Sequence, residues 1–270
     1  MNKDVKSPIV SVDWLKANIK NPHLVSADCR FNLLDHAYGK RSYTSGHIPG
    51  AVFFDMEKDL SSTDKSFGRH PIPALDEFRK VLEDRGISRE SIVVAYDDDG
   101  SGAARLWFLL EYFSLENGYV LDGGLNAWLR AGGDIATKVP ERRTSSVELK
   151  AKKDMIVEKE LIGSSNSHFS LIDARSPDRY SGEYEPIDRI PGHIPNATNI
   201  FWKSVLNEDG TYKSPDQIRS IFKEVGKNPV LYCGSGVTSC VNYIAMRIAG
   251  IEPRLYPGGW SHWVKTIKEQ

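Results

Sequence analysis

Cysteine is scarce: Cys29, Cys233 and Cys240 are the three in 270 residues. An odd number cannot all pair, and so sparse a set is no disulfide framework. A charge bias is also missing. Lys and Arg number 35 against 36 Asp and Glu, so there is no electrostatic footprint for nucleic acid or an anionic membrane surface. No apolar run approaches the ~18 residues that a membrane span needs, Leu106 to Leu110 being about the densest. The polar stretch Met1 to Pro8 has no signal-like apolar segment behind it. What is present, 40% hydrophobic and 26% charged residues, suits a soluble globular chain with real cores. A cytoplasmic, reducing setting is the expectation, and at ~150 residues per domain the length predicts about two domains.

The chain is written twice. Gly46-His47-Ile48-Pro49 returns as Gly192-His193-Ile194-Pro195. Ahead of each lies a short apolar run ending in an acid, Leu24 to Asp28 and Leu171 to Asp173, and behind each a strand-like piece, Val52-Phe53-Phe54 and Thr198-Asn199-Ile200. Leu121-Asp122-Gly123-Gly124 through Trp128 recurs as Tyr256-Pro257-Gly258-Gly259 through Trp263. Three matches in one order signal a duplicated domain. Within each copy, strand-length runs (92–96 and 119–121; 229–232 and 254–256) alternate with helical spacing over 103–113 and 237–249. Ser214-Pro215-Asp216-Gln217 reads as a helix start, with a Ser cap, Pro in the first turn and Gln three after the cap. The expected fold class is α/β, two tandem copies each built on a mostly parallel sheet flanked by helices. The expected boundaries are 1–140, a polar linker over 141–153, and 154–270.

In open α/β sheets ligands sit beyond the carboxyl ends of the strands. Cys233 lies there, between Val230-Leu231-Tyr232 and Gly234-Ser235-Gly236-Val237-Thr238. Two glycines let successive N–H groups turn toward one atom, and the following helix aims its positive end at the same place. Such a setting draws a thiol toward thiolate and makes a nucleophile in an anion cradle. A buried, inert cysteine on a tight turn is the alternative. Aligning the copies puts Asp97-Asp98-Asp99-Gly100 opposite Cys233-Gly234-Ser235-Gly236, so only the second copy is equipped and the first becomes a partner wall. Cys240 and Cys29 read as packed core thiols.

These residues resemble the two-domain rhodanese-type sulfurtransferases over nearly the whole chain. The resemblance rests on both His-Ile-Pro segments, Tyr96 to Gly100, Asp122 to Trp128, Asp173-Ala174-Arg175 and above all Cys233 to Thr238. The loop is similar to that of the 3-mercaptopyruvate branch, C-G-S/T-G-V-T, whereas thiosulfate-preferring members carry C-R-K-G-V-T. The resemblance implies a ping-pong transfer through a Cys233 persulfide, from a small-molecule donor to cyanide, a small thiol or a reduced thioredoxin-like protein. It implies neither metal nor organic cofactor. It assigns the loop residues Gly234, Ser235, Gly236, Val237 and Thr238 to substrate binding, and Arg179 to the donor carboxylate, which a planar guanidinium suits. Arg189 is the candidate second arginine, although its spacing departs from that branch. His47 is the candidate proton relay with Ser235, oriented by Asp35; stabilising the turn before Pro49 is its other reading.

The competing chemistries are weaker. A phosphatase-type loop needs Arg six after its Cys, and position 239 is Ser. Gly100-Ser101-Gly102 lacks the third glycine of a dinucleotide fingerprint, Arg105 standing in its place. The histidines show no zinc-like spacing with the cysteines, and Trp128 and Trp263 read as core. Thiosulfate remains the alternative donor. A non-enzymatic rhodanese-fold binding module is the alternative from another class, and retention of Cys233 argues against it.

Overall fold

The computed structural model describes residues 7–162 and 168–267. The first half forms a parallel sheet in the order β1-β5-β4-β2-β3: β1 (Ile9–Val10), β2 (Leu24–Asp28), β3 (Val52–Phe53), β4 (Ile92–Tyr96) and β5 (Gly118–Leu121). The second half repeats its centre as β7-β6-β8-β9, with β6 (Ser170–Asp173), β7 (Thr198–Asn199), β8 (Pro229–Tyr232) and β9 (Arg254–Leu255). In both sheets the acid ending one strand is in register with a tyrosine, Asp28 with Tyr96 and Asp173 with Tyr232. The expected α/β class is the observed one. The sequence pattern did not mark β1, a two-residue edge strand too short to show a period.

The repeated motif is a hydrogen-bonded corner, made twice. Arg30 binds Asp28 and the Gly46 carbonyl, both at 2.6 Å, while Arg175 binds Asp173 and the Gly192 carbonyl at the same distances. The Ile48 and Ile194 N–H groups each donate to a tyrosine hydroxyl, of Tyr96 and Tyr232, at 3.1 Å. Buried polar groups need such partners, so these residue types recur with the strands they join.

Helices α1 (Val12–Asn18), α2 (Tyr38–Ser45), α3 (Leu75–Asp84), α4 (Ser101–Tyr112) and α5 (Gly124–Arg130) belong to the first half. The second carries α6 (Lys159–Ile162), α7 (Pro177–Ser181), α8 (Pro215–Ile221), α9 (Ser239–Ile248) and α10 (Gly259–Trp263). Helix α8 starts with the expected capping box, Ser214 and Gln217 bonding each other's backbone N–H. Helix α4 is apolar almost all round, which marks a helix covered on every side. It packs on α9, where Trp107 and Phe108 meet Tyr243, and one hydrophobic core runs through both halves. Residues 145–152 lie along the first half, Val147 buried and Lys150 and Lys152 donating to the Phe113 and Tyr112 carbonyls. The carboxyl ends of β4 and β8 thereby open onto a shared cleft.

Candidate active site

Strand β8 is buried throughout and delivers Cys233 at its carboxyl end. The turn that follows requires glycine. Gly236 has φ +74°, and a Cβ there would stand 2.3 Å from the Pro257 carbonyl oxygen. Gly259, at φ +58°, brings its backbone against the Cys233 carbonyl, to which Trp260 N–H donates at 2.8 Å. The loop is thus held from outside by the second copy of the Gly-Gly motif.

The three thiols differ in chemistry. Burial pushes the Cys233 thiol up, but hydroxyl groups of Thr238 and Ser239 and the N–H groups of Ser239 and Ser235 outweigh it, and its pKa falls below the ordinary value. The Ser239 hydroxyl lies 3.5 Å from its sulfur. Burial pushes Cys240 up to about 12, and its thiol donates to the Gly236 carbonyl at 3.3 Å. Burial, then Asp97 and Asp28, pushes Cys29 well up. Only Cys233 is drawn toward thiolate.

Cys233 faces a cleft of about 370 Å³ walled by Phe31, Leu33, Asp99 and His70 from the first half and Arg179 and the loop from the second. Arg179 is braced by Glu185 at 2.9 Å and Asp188 at 3.0 Å, and Arg69 binds the same Asp188 at 2.8 Å. Both guanidinium groups hang over Gly234, where a Cβ would stand 2.9 Å from Arg69 Nη2 and 3.4 Å from Arg179 Nη2. Ser235 Oγ is 2.7 Å from His70 Nδ1, and His70 Nε2 is 2.7 Å from Glu57 Oε1. The His70 hydrogen bond holds the Glu57 carboxyl down at about 2 against burial, with Lys65 adding to the pull. Burial keeps His70 below its usual value in spite of Glu57. A neutral His70 donating Nε2–H to a carboxylate leaves Nδ1 to accept the Ser235 hydroxyl proton.

Cys233, the loop residues and Arg179 therefore come together as expected, and three expected residues, His47, Asp35 and Arg189, lie elsewhere. His47 has no contact with Ser235. Its ring is wholly buried, stacked on Tyr43 at 4.0 Å between centroids, with Nδ1 at the Tyr43 carbonyl (2.8 Å) and Nε2 at the Lys138 carbonyl (3.2 Å). Its repeat partner His193 stacks on Tyr180 and faces the Tyr180 carbonyl in the same way. The structure places His70, and not His47, beside Ser235, while His47 belongs to the corner made identically in both halves. Asp35 pairs with Arg41 instead. Arg189 donates to the Val264 carbonyl at 3.4 Å and lines the neighbouring groove with Ile187 and Lys265; Arg69 takes the second place over Cys233. His70, Glu57 and Arg69 were missed because the repeat directs attention to matched positions, and these three lie between β3 and α3 outside them. The signal available was Arg69-His70-Pro71-Ile72-Pro73, two charged-type side chains on a segment that two prolines keep extended. Among the described residues no group of three or more His, Cys, Asp or Glu could hold a metal ion.

The rhodanese-like domain model matches this chain twice, over residues 11–131 and 157–266. A probable 3-mercaptopyruvate sulfurtransferase of Pseudomonas aeruginosa is 38% identical over 268 residues, covering 95% of this chain and 94% of that protein. A putative thiosulfate sulfurtransferase of Mycobacterium tuberculosis is 36% identical over 241 residues, covering 85% and 84%. Among solved structures, the 3-mercaptopyruvate sulfotransferase SseA of Escherichia coli matches with a TM-score of 0.83 at 30% identity, over 95% of this chain and 100% of that one. With two domain matches spanning most of its length and relatives aligned nearly end to end, the chain belongs to the rhodanese-like family, among its two-domain sulfurtransferases.

Proposed function

We propose that the protein takes sulfur from 3-mercaptopyruvate onto Cys233 as a persulfide and passes it to a thiophilic acceptor, namely cyanide, a small thiol or a reduced thioredoxin-like protein. The observation that carries this reading is the Ser235–His70–Glu57 chain beside a lowered-pKa thiol and two arginines. Arg179 and Arg69 seat the donor's carboxylate by charge-assisted hydrogen bonds. The Cys233 thiolate attacks the donor's sulfur, an S–S bond forms, and the C–S bond breaks with its electron pair on carbon. The departing enolate of pyruvate must be protonated. The proton leaves the donor's SH group and ends on the methylene carbon, carried by Ser235 and His70, which are regenerated. The persulfide's terminal sulfur is left anionic, facing the loop N–H groups and the start of α9. We place the reaction in the cytoplasm, where thiols are kept reduced. No helix among the described residues is long and apolar enough to cross a membrane.

Thiosulfate is the second donor reading, favoured by the same two guanidinium groups over Gly234. Sulfite leaves with its own electron pair and needs no proton on carbon, so the donors separate experimentally. Each donor is supplied with cyanide as acceptor to wild type and Ser235→Ala, and sulfur on Cys233 is followed by intact mass. Loss of turnover with mercaptopyruvate but not thiosulfate in Ser235→Ala supports the assigned relay. Equal effects on both donors, or no added sulfur from mercaptopyruvate, would refute it.

A further inference from the structure

Arg105 replaced a glycine of a nucleotide-type fingerprint in the sequence, and the proposed mechanism leaves it unused. It lies on α4 with none of its surface exposed and is the largest fully buried side chain among the described residues. Its guanidinium donates to four carbonyl oxygens, Leu60 at 3.3 Å, His70 at 2.9 Å, Pro71 at 3.1 Å and, across the domain boundary, Gly236 at 3.3 Å, and it also meets the Cys240 sulfur. No carboxylate lies within ion-pair distance of it among the described residues. A buried cation without an anionic partner is costly and persists where it serves another charge. The groups that act on its charge are Cys240, which burial keeps as a thiol, and Cys233, the one of the two drawn toward thiolate.

The geometry of the fork fixes more than charge. One guanidinium binds the carbonyl of His70, whose ring holds Ser235, and the carbonyl of Gly236, the residue after Ser235. The spacing between relay and loop is therefore set from below by a single planar group. We propose that Arg105 is a positioning residue that locks the His70 segment onto the Cys233 loop across the domain boundary, and that its unpaired charge is the built-in counter-cation of the thiolate and persulfide. The inference rests on the reading that Cys233 carries the sulfur.

Charged or titratable groups around the loop include Arg69 and Arg179 with their shared Asp188, His70, Glu57 and Asp99 on the cleft side, and Cys240 and Tyr212 beneath it. None of these groups is itself replaced when Arg105 is changed, and Arg105→Lys, which keeps the charge, separates loss of the cation from displacement of the His70 segment. The experiment follows alkylation of Cys233 by iodoacetamide against pH, read by intact mass, in wild type, Arg105→Gln and Arg105→Lys, with thermal melting as a check of folding. Arg105→Gln is expected to raise the apparent thiolate pKa by about one unit, slowing alkylation at neutral pH about tenfold. Arg105→Lys keeps the charge without the fork, so its pH profile stays near wild type while kcat with mercaptopyruvate falls. A wild-type profile in a folded Arg105→Gln, or a Lys variant shifted as far as the Gln one, overturns the proposal. If Arg105→Gln does not melt cooperatively, the Lys variant decides by the same criterion, a raised profile or an unchanged kcat counting against. Alkylation needs no sulfur donor, so failure of the persulfide reading would register separately, as no sulfur gained by wild type.

Discussion

After β4 the backbone turns at Asp97, and after β8 it turns at Cys233, with the same outer support in both halves. A Cβ on Gly124 would stand 2.4 Å from the Asp97 carbonyl oxygen, and one on Gly259 would stand 2.5 Å from that of Cys233. Leu125 and Trp260 donate to those two carbonyls at 2.9 and 2.8 Å. Inside the turns the halves part. The Asp97 carboxylate takes N–H groups from Gly100 and Gly102, both at 2.6 Å, and from Ala103 at 3.0 Å. Burial and then Asp99 push this carboxyl up against that pull. The first cradle is thus filled by its own opening residue, while the second offers its N–H groups to a sulfur. The cradle is a property of the backbone turn, and one side chain decides whether it is plugged or able to react.

Replacing that side chain should give the largest effect. Cys233→Ser is expected to lose turnover by a factor on the order of 10³ or more, with no added sulfur in intact mass. Adding Asp97→Cys to it should restore none, because Arg69, Arg179 and His70 converge on the Gly234–Ser235 side of the shared cleft; sulfur gained there would break the contrast between the halves. Next comes the relay. His70→Ala should lower kcat with mercaptopyruvate by about 10²–10⁴, whereas His47→Gln should lower Tm by a few degrees (~1–2 kcal/mol) and leave kcat nearly unchanged. A kcat loss in His47→Gln matching that of His70→Ala would return the catalytic role to the repeated corner. For Arg179→Ala, loss of charge-assisted bonds of about 1.5–3 kcal/mol predicts a KM for mercaptopyruvate raised roughly 10–100-fold, with persulfide still forming at high donor concentration. An unaltered KM in steady-state assays would remove Arg179 from donor binding.

The smallest expected change is a shift in pH. Because the folded protein holds His70 below its usual value, the acid limb of kcat should fall below pH 6.5. Glu57 pulls that value upward, so Glu57→Gln should move the limb to still lower pH. Stability carries the corresponding sign. The depressed Glu57 carboxyl stabilises the fold above its ordinary value near 4.5 and loses that contribution as pH falls toward about 2. A pH–rate series on both proteins checks the direction, and a limb moving toward neutral pH would contradict the assigned bond.

The sequence disclosed what recurs. Strands β2, β4 and β8 lie where apolar runs of strand length predict them, and the corner residues Asp28, Arg30, Asp173 and Arg175 recur because each buried polar atom needs its partner in both copies. Cys233 stood out because its counterpart is an acid. The place of Glu57, Arg69 and His70 in the cleft was hidden for the opposite reason. They come from a single-copy stretch, and their partners Asp188 and Ser235 are far away in sequence. Periodicity and local spacing carry no information about such a meeting. Arg189 misled for a related reason, since its place after Asp188 says nothing about which side of that loop faces the thiol.

Arg105 and the His70 segment also impose an order in time. Synthesis runs from the first half to the second, so the jaw holding Glu57, His70 and Arg105 leaves the ribosome before β8 and its thiol exist. The residues of the thiol loop are made after those of the wall they meet. On the proposed reading, a nascent chain therefore has no Cys233 loop to carry sulfur until most of its 270 residues have been translated.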